Sequence, residues 1–300
     1  MSLKVFAELV ELKAKTASVF PFVLGMAYSW FHYRQVHLGK MLFFFVAMFL
    51  FNMAVDILDN YMDYHNATDL HDYKEETNII GREGLSLSLV RNIMISFIVI
   101  SASMGIYLAS QTSWVVLWLG IISYSVGIFY SAGPKPLSSL PVGEVASGLA
   151  MGYVIPLICV YLNVYDVQAF TWSFAGAVFV MALPAVFAIA NLMLANNTCD
   201  LEEDLLNNRR TLVAYIGKPA AINLFWFLAI TPFVVATLAV FTKLIPWTVL
   251  GIWLIFPIIW KNTSQFARRQ NKLTTFPLAI KNLALTVMLY AVLFVIGAVL

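Results

Sequence analysis

The stretch FNMAVDILDNYMDYHNATD, residues 51–69, begins as a membrane-spanning helix and ends as a cluster of acids. Asp56, Asp59 and Asp63 recur at near-helical spacing, and Asp69 follows. A carboxylate in hydrocarbon is costly, so acids at the end of an apolar span mark a functional position. The apolar run before them decides the fold, because it repeats along the chain.

The chain is 61% hydrophobic and only 11% charged, with a mean hydropathy of +0.83, far more apolar than a soluble domain of 300 residues needs. This composition predicts an integral membrane protein built as an all-α bundle. Nine spans are expected, near 17–33, 41–58, 92–110, 114–131, 142–162, 169–195, 221–241, 244–260 and 283–300. Each is about long enough to cross a bilayer at roughly 1.5 Å per residue. Together they make one transmembrane domain, 1–300.

Residues 1–16 carry Lys4, Glu8, Glu11, Lys13 and Lys15, which is not a signal-peptide pattern. Lys4, Glu8, Glu11 and Lys15 share one helical face, so a short interfacial helix is expected there. Cys159 and Cys199 imply no disulfide framework. A net charge of +2 does not suggest nucleic acid, and no protein partner is implied.

Charge asymmetry sets the expected orientation. Nine spans place 15 Lys and Arg on one side and only Arg34, Lys40 and Lys243 on the other. The N-terminus is then cytoplasmic and the C-terminus outside. Of the 16 Asp and Glu, only Asp166 falls outside. Both signs of charge gather at one face, which suggests polar chemistry there.

A second motif answers the first. NLMLANNTCDLEEDLLNNRRTL, residues 191–212, closes the sixth span, with Asn196, Asp200 and Asp204 four residues apart and so on one helical face. Arginine follows each motif: Arg82 after the first, Arg209 and Arg210 after the second. Spans two and six thus occupy equivalent places in two similar halves. Carboxylates gathered on facing helices repel unless a cation holds them, and hard oxygen ligands suit Mg²⁺ bridging to a phosphate. Basic loop residues would bind the phosphate oxygens. A third loop, YSAGPKPLSSLPVGE (130–144), is stiffened by Gly133, Pro134 and Pro136, and Lys135 is its only basic residue. His65 and His71 read as polar loop residues, since zinc does not favour an all-oxygen setting.

These two motifs in a nine-span bundle resemble the UbiA superfamily of intramembrane prenyltransferases, over almost the whole chain. Within it, YSAGPKPL with Gly143-Glu144, RRTLVAYIG and KAKTASVFPFVLG resemble segments of 1,4-dihydroxy-2-naphthoate prenyltransferases. The first motif departs from their Asn-Asp-Tyr-x-Asp-Tyr pattern: Asp59 stands at the Asn place and Asn60 at the Asp place. The exchange keeps an oxygen ligand at position 59.

The resemblance implies a polyprenyl diphosphate bound through Mg²⁺. The implied metal ligands are Asp56, Asp59, Asp63, Asp69, Asn196, Asp200 and Asp204, with Asp59, Asp63, Asp200 and Asp204 catalytic. Arg82, Lys135, Arg210, Tyr130, Asn78 and Lys15 are the implied substrate-binding residues. Ionisation would give an allylic cation, attacked by an electron-rich aromatic acid, with dry walls excluding water. Other acceptors of the superfamily, such as 4-hydroxybenzoate, share the metal motifs. A secondary transporter is the rival from another class, but its acids would sit near the bilayer midplane.

Overall fold

The computed structural model describes residues 1–66 and 77–300, and these contain no strand. Asp69 and His71 lie outside the described residues. From the N-terminus, α1 (Leu3–Leu9) and a 3₁₀ turn (Leu12–Lys15) precede α2 (Thr16–Tyr33) and α3 (Leu38–Asn66). A short α4 (Ile79–Arg82) leads to α5 (Leu87–Ser110) and α6 (Trp114–Ser131). Next come α7 (Gly143–Leu149), a π-helical turn (Ala150–Val154) and α8 (Ile155–Val164), which run on as one rod. The chain ends with α9 (Trp172–Cys199), α10 (Leu201–Leu206), α11 (Leu212–Phe241), α12 (Phe256–Arg268) and α13 (Phe276–Val299).

Seven helical segments among the described residues are long and apolar enough to cross a membrane, where the sequence led us to expect nine. The other two expected spans exist as helical segments but differ in character. In α2 the serines, Pro21, His32 and tyrosines dilute the apolar content. The eighth expected span splits into nine residues of 3₁₀ helix, Trp247–Ile255, and the 13 of α12. At about 2.0 and 1.5 Å per residue these together reach roughly 37 Å, more than the ~30 Å hydrocarbon layer.

The chain forms two compact units, Met1–Lys15 with Leu42–Pro136, and Thr16–Met41 with Leu137–Leu300. In the first, α5 packs on α6 and α1 on α4. Leu9 and Val10 are buried with Ile57, Ile79 and Ile80. Phe51 stacks on Tyr124 with centroids 3.9 Å apart, and the Tyr124 hydroxyl donates to Ser101 Oγ at 2.6 Å. Residues 1–16 do not form the single interfacial helix expected from their periodicity. The chain breaks at Glu11, whose φ is +46°, and Lys15 is buried rather than solvated.

In the second unit α9 is the spine, with α7, α11 and α13 packed on it. Gly148 and Gly152 let α7 and the π turn close on α9: a Cβ at Gly152 would lie 2.7 Å from the Val186 backbone, and one at Gly148 2.8 Å from its carbonyl. This contact fixes the start of α7 against the α9 face that ends in Asn196 and Asn197. α11 bends at Gly217, whose φ is +77°, just before Pro219. At one end of the unit several loops meet. Arg34 Nη1 donates to Ala298 O at 2.9 Å, His32 Nε2 bonds Leu244 O at 2.8 Å, and Gln35 Nε2 donates to Asp166 at 3.3 Å. These are the loops that the charge pattern grouped on the charge-poor side.

Candidate functional site

The first motif lies on α3, where an uninterrupted helix keeps Asp59 and Asp63 one turn apart, with Asp56 behind them. Lys15 reaches Asp56: its Nζ donates to Asp56 Oδ2 and, at 3.3 Å, to the Asn52 carbonyl. Burial pulls the Lys15 ammonium down to about 7, and the negative charge of Glu11 pulls the other way. Ser131 Oγ, at the end of α6, donates to Asp59 Oδ1 at 2.5 Å. Asn60 Nδ2 donates to the Asp56 carbonyl at 3.1 Å, so the exchanged residue serves the helix backbone. Asn78 caps α4 by accepting from Ile80 N at 2.9 Å and donates to the Asn60 carbonyl at 3.0 Å. It therefore ties the start of α4 to α3.

The other nominated residues of this unit are placed differently. The Arg82 guanidinium pairs with Glu8 and, at 3.5 Å, with Glu83, and both carboxylates hold its pKa up. Tyr130 is half-buried beside Ser131, Lys135 is exposed, and Asp63 is half-buried on α3.

The second motif spans a helix break. α9 ends at Cys199, Asp200 caps it, and α10 begins at Leu201. The four-residue register survives the break, because Asp200 N donates to Asn196 O at 3.1 Å and Asp204 N to Asp200 O at 2.8 Å. Lys272 Nζ donates to Asn196 Oδ1 at 2.7 Å and pairs with Asp200 Oδ2. Two oxygens of the motif therefore converge on one cationic centre. Asp204 is buried, with Arg209 Nε 3.2 Å from Oδ1 and no hydrogen-bond partner for Oδ2. Burial pushes its carboxyl up to about 6, against the pull of Arg209. Asn208, at φ +57°, turns the chain back toward this carboxylate, a conformation asparagine tolerates.

Arg209, not the nominated Arg210, contacts the second motif. The Arg210 side chain is exposed, and its backbone N donates to the Ser139 carbonyl at 3.1 Å. Glu144, buried at the start of α7, accepts from Asn197 Nδ2 at 2.8 Å through Oε1, and its Oε2 has no partner. Lys272, Arg209, Ser131 and Glu144 were not nominated from sequence. Two of them left a signal: Glu144, an acid opening an apolar span, and Arg209, one of the two arginines after the second motif.

Among the described residues, no three His, Cys, Asp or Glu side chains gather as a metal cluster. The donors fit Mg²⁺ nonetheless. They are all oxygens, two of them close on one cation, and the buried Asp204 Oδ2 lacks a donor. Mg²⁺ typically takes only one or two carboxylates and fills its shell with water and phosphate.

The fold and site define a helical membrane protein with two cation-holding acidic motifs. A family model described as the UbiA prenyltransferase family matches residues 18–285, and the chain belongs to that family. A 1,4-dihydroxy-2-naphthoate octaprenyltransferase of Bacillus subtilis (strain 168) is 25% identical over 209 residues, 70% of this chain and 65% of that protein. The match thus spans slightly less than two thirds of the relative's length. Among solved structures, digeranylgeranylglyceryl phosphate synthase superposes with a TM-score of 0.67 at 15% identity, covering 99% of this chain and 98% of the other. A UbiA homologue from Archaeoglobus fulgidus bound to GPP and Mg²⁺ gives 0.63 at 13% identity over 99% and 100% of the chains. An apo UbiA homologue from Aeropyrum pernix K1 gives 0.70 at 13% identity over 94% and 97%. At these identities the structural likeness establishes the fold.

Proposed function

We propose that the chain transfers a polyprenyl group from polyprenyl diphosphate to 1,4-dihydroxy-2-naphthoate with loss of CO₂, giving a demethylmenaquinol. The observation that carries the chemistry is the convergence of Asn196 Oδ1 and Asp200 Oδ2 on a single cation. The Bacillus subtilis relative and the YSAGPKPL loop support the acceptor. Asp56, Asp59, Asp63, Asp69, Asn196, Asp200 and Asp204 are the proposed oxygen donors. Bound Mg²⁺ would neutralise the diphosphate and so make it a better leaving group.

The chain's own residues do the rest. Arg210 and Lys135, both exposed, are free to turn toward diphosphate oxygens. Arg82 has to leave Glu8 to join them. Tyr130, Asn78 and Lys15 belong to the substrate-binding set, with Asn78 and Lys15 acting by fixing α3. The apolar interior keeps water from the allylic cation. The ring carbon bearing the carboxylate is activated by neighbouring hydroxyls, so the cation adds there. Loss of CO₂ then restores aromaticity. We further propose nine spans in a single domain, with the active face and N-terminus cytoplasmic and the C-terminus outside.

The test is prenylation by the purified chain with a panel of aromatic acids, read by mass spectrometry, with and without EDTA. The expected result is a decarboxylated prenyl naphthoquinol, lost in EDTA and restored by Mg²⁺. A product that keeps its carboxylate moves the acceptor to an acid such as 4-hydroxybenzoate. Full activity in EDTA removes the metal.

A further inference from the structure

Lys272 sits on the second motif as if built there. Its Nζ bonds Asn196 Oδ1 at 2.7 Å, pairs with Asp200 Oδ2, and lies 4.9 Å from the centre of the Phe276 ring. The turn that presents it is organised by its neighbour. Asn271 Oδ1 accepts from Leu273 N at 3.1 Å and from Thr274 N and Oγ1, both at 2.9 Å. Thr275 Oγ1 accepts from Asn271 N at 2.9 Å and donates to Arg269 O at 2.8 Å. Such side-chain turns fix a loop without a helix. Lys272 is therefore held in place by its backbone, while its side chain remains 45% exposed.

An ammonium and a divalent ion cannot share these oxygens. Both need the same lone pairs, and their charges repel. An exposed ion pair is weak enough to yield to a dication. Lys15 on the first motif differs in that its side chain is only 5% exposed.

We propose that Lys272 is the resident, exchangeable cation of the second motif. It bonds Asn196 Oδ1 and neutralises Asp200 when no divalent ion is bound, and is displaced when one binds. This rests on the reading above that the motif takes a divalent cation. The apparent affinity for the metal is then the intrinsic affinity multiplied by the fraction of molecules whose lysine has swung away. Displacement also frees an ammonium at the rim of the site.

The test is Mn²⁺ binding to the purified full chain without substrate, followed by electron paramagnetic resonance, for wild type, Lys272→Met, Lys272→Arg and Asp200→Asn. Removing the competitor in Lys272→Met should tighten binding about fivefold, the upper end for an exposed ion pair. Lys272→Arg keeps the charge and should bind Mn²⁺ close to wild type. Asp200→Asn should bind more weakly. If Asp200→Asn weakens binding but Lys272→Met leaves it unchanged or weaker, the lysine does not compete and the inference is overturned while the metal reading stands. Weaker binding of inorganic pyrophosphate with unchanged Mn²⁺ affinity in Lys272→Met overturns it in the same way. If Asp200→Asn leaves Mn²⁺ binding intact, the metal reading itself fails and takes this inference with it.

Discussion

The two acidic motifs share a pair of aspartates four residues apart, Asp59 and Asp63 in one and Asp200 and Asp204 in the other, yet they are held by opposite means. In the first, the helix is continuous and the cation is buried: Lys15 lies under Asp56 with its side chain 5% exposed. In the second, the helix breaks at Asp200 and the cation is exposed, with Lys272 at 45%. Buried pairs are costly to break because one charge is left stranded in low dielectric, whereas exposed pairs exchange readily. The contrast separates a charge pair held in the interior from one that water also reaches. Asp56 Oδ2 anchors α3 to the N-terminal segment through a buried lysine, while Asn196 Oδ1 and Asp200 Oδ2 meet an exposed one.

The largest expected effect tests whether the motifs share a job. Asp63→Ala and Asp200→Ala should each lower kcat by about 10²–10³, the usual cost of losing one well-placed electrostatic group. The KM for the aromatic acid should hold nearly constant, since that substrate needs no metal. Steady-state kinetics in nanodiscs would measure both. A collapse of kcat in only one of the two variants would break their equivalence.

The buried cation comes next. Lys15→Met should strip Asp56 of its partner and destabilise the fold by about 3 kcal/mol, as for other buried pairs cut on one side. Lys272→Met, on the exposed pair, should cost well under 1 kcal/mol. Adding Asp56→Asn to Lys15→Met should recover most of the lost melting temperature. Equal losses for the two lysine variants would erase the distinction drawn above.

Acid titration sharpens the second motif. Asp204 is held at about 6, above the 3.8 of an ordinary aspartate. Between those values the native protein binds more protons than the unfolded chain, so the ionised carboxylate costs stability above pH 6. That cost fades as pH falls toward 4. In EDTA, Asp204→Asn should therefore be more stable than wild type at pH 7, by on the order of 2 kcal/mol, less whatever Arg209 loses with its partner. The gap should close near pH 4. A constant gap across this range, in thermal melts at several pH values, would mean that Asp204 is already neutral at pH 7 or is held by Arg209 alone.

The contrast between the motifs also marks what could be read from the sequence. Long apolar runs gave most of the helices, because any uncharged stretch of bilayer length has to satisfy its own backbone. The acids announced themselves for the same reason. Their partners did not. Lys272 meets Asp200 across 72 residues, and Lys15 meets Asp56 across 41. Nothing local distinguishes Lys272 from Lys261 or Lys281, and only a family resemblance pointed to Lys15. Arg209 and Arg210 are adjacent, so sequence could not say which would turn back onto Asp204. That choice is made by the left-handed turn at Asn208. The N-terminal segment misled for a related reason: its charges fit a helical face, but the chain breaks at Glu11 to bring Lys15 beneath α3.

The smallest effect concerns how each motif orients its acids. Ser131 Oγ donates to Asp59 Oδ1 at 2.5 Å, a bond between a hydroxyl at the end of α6 and a carboxylate on α3. A hydrogen bond to a charged group is worth roughly 1.5–3 kcal/mol when sheltered, and less where water can replace it. Asp59 is only half-buried, so Ser131→Ala should cost about 1 kcal/mol, or roughly a fivefold fall in kcat/KM for the prenyl diphosphate. Arg209→Ala would have a larger effect, because the buried Asp204 would lose its counter-ion and, with its carboxyl already raised to about 6, would take up a proton near pH 7. The two substitutions form a matched pair: a hydroxyl steers an acid that water already solvates, and a guanidinium holds one that water cannot reach. Kinetics at saturating metal, with Ser131→Thr as the variant that restores the donor, would separate steering from folding. If Ser131→Ala loses more than Arg209→Ala, then Asp59 rather than Asp204 is the acid whose orientation limits the reaction.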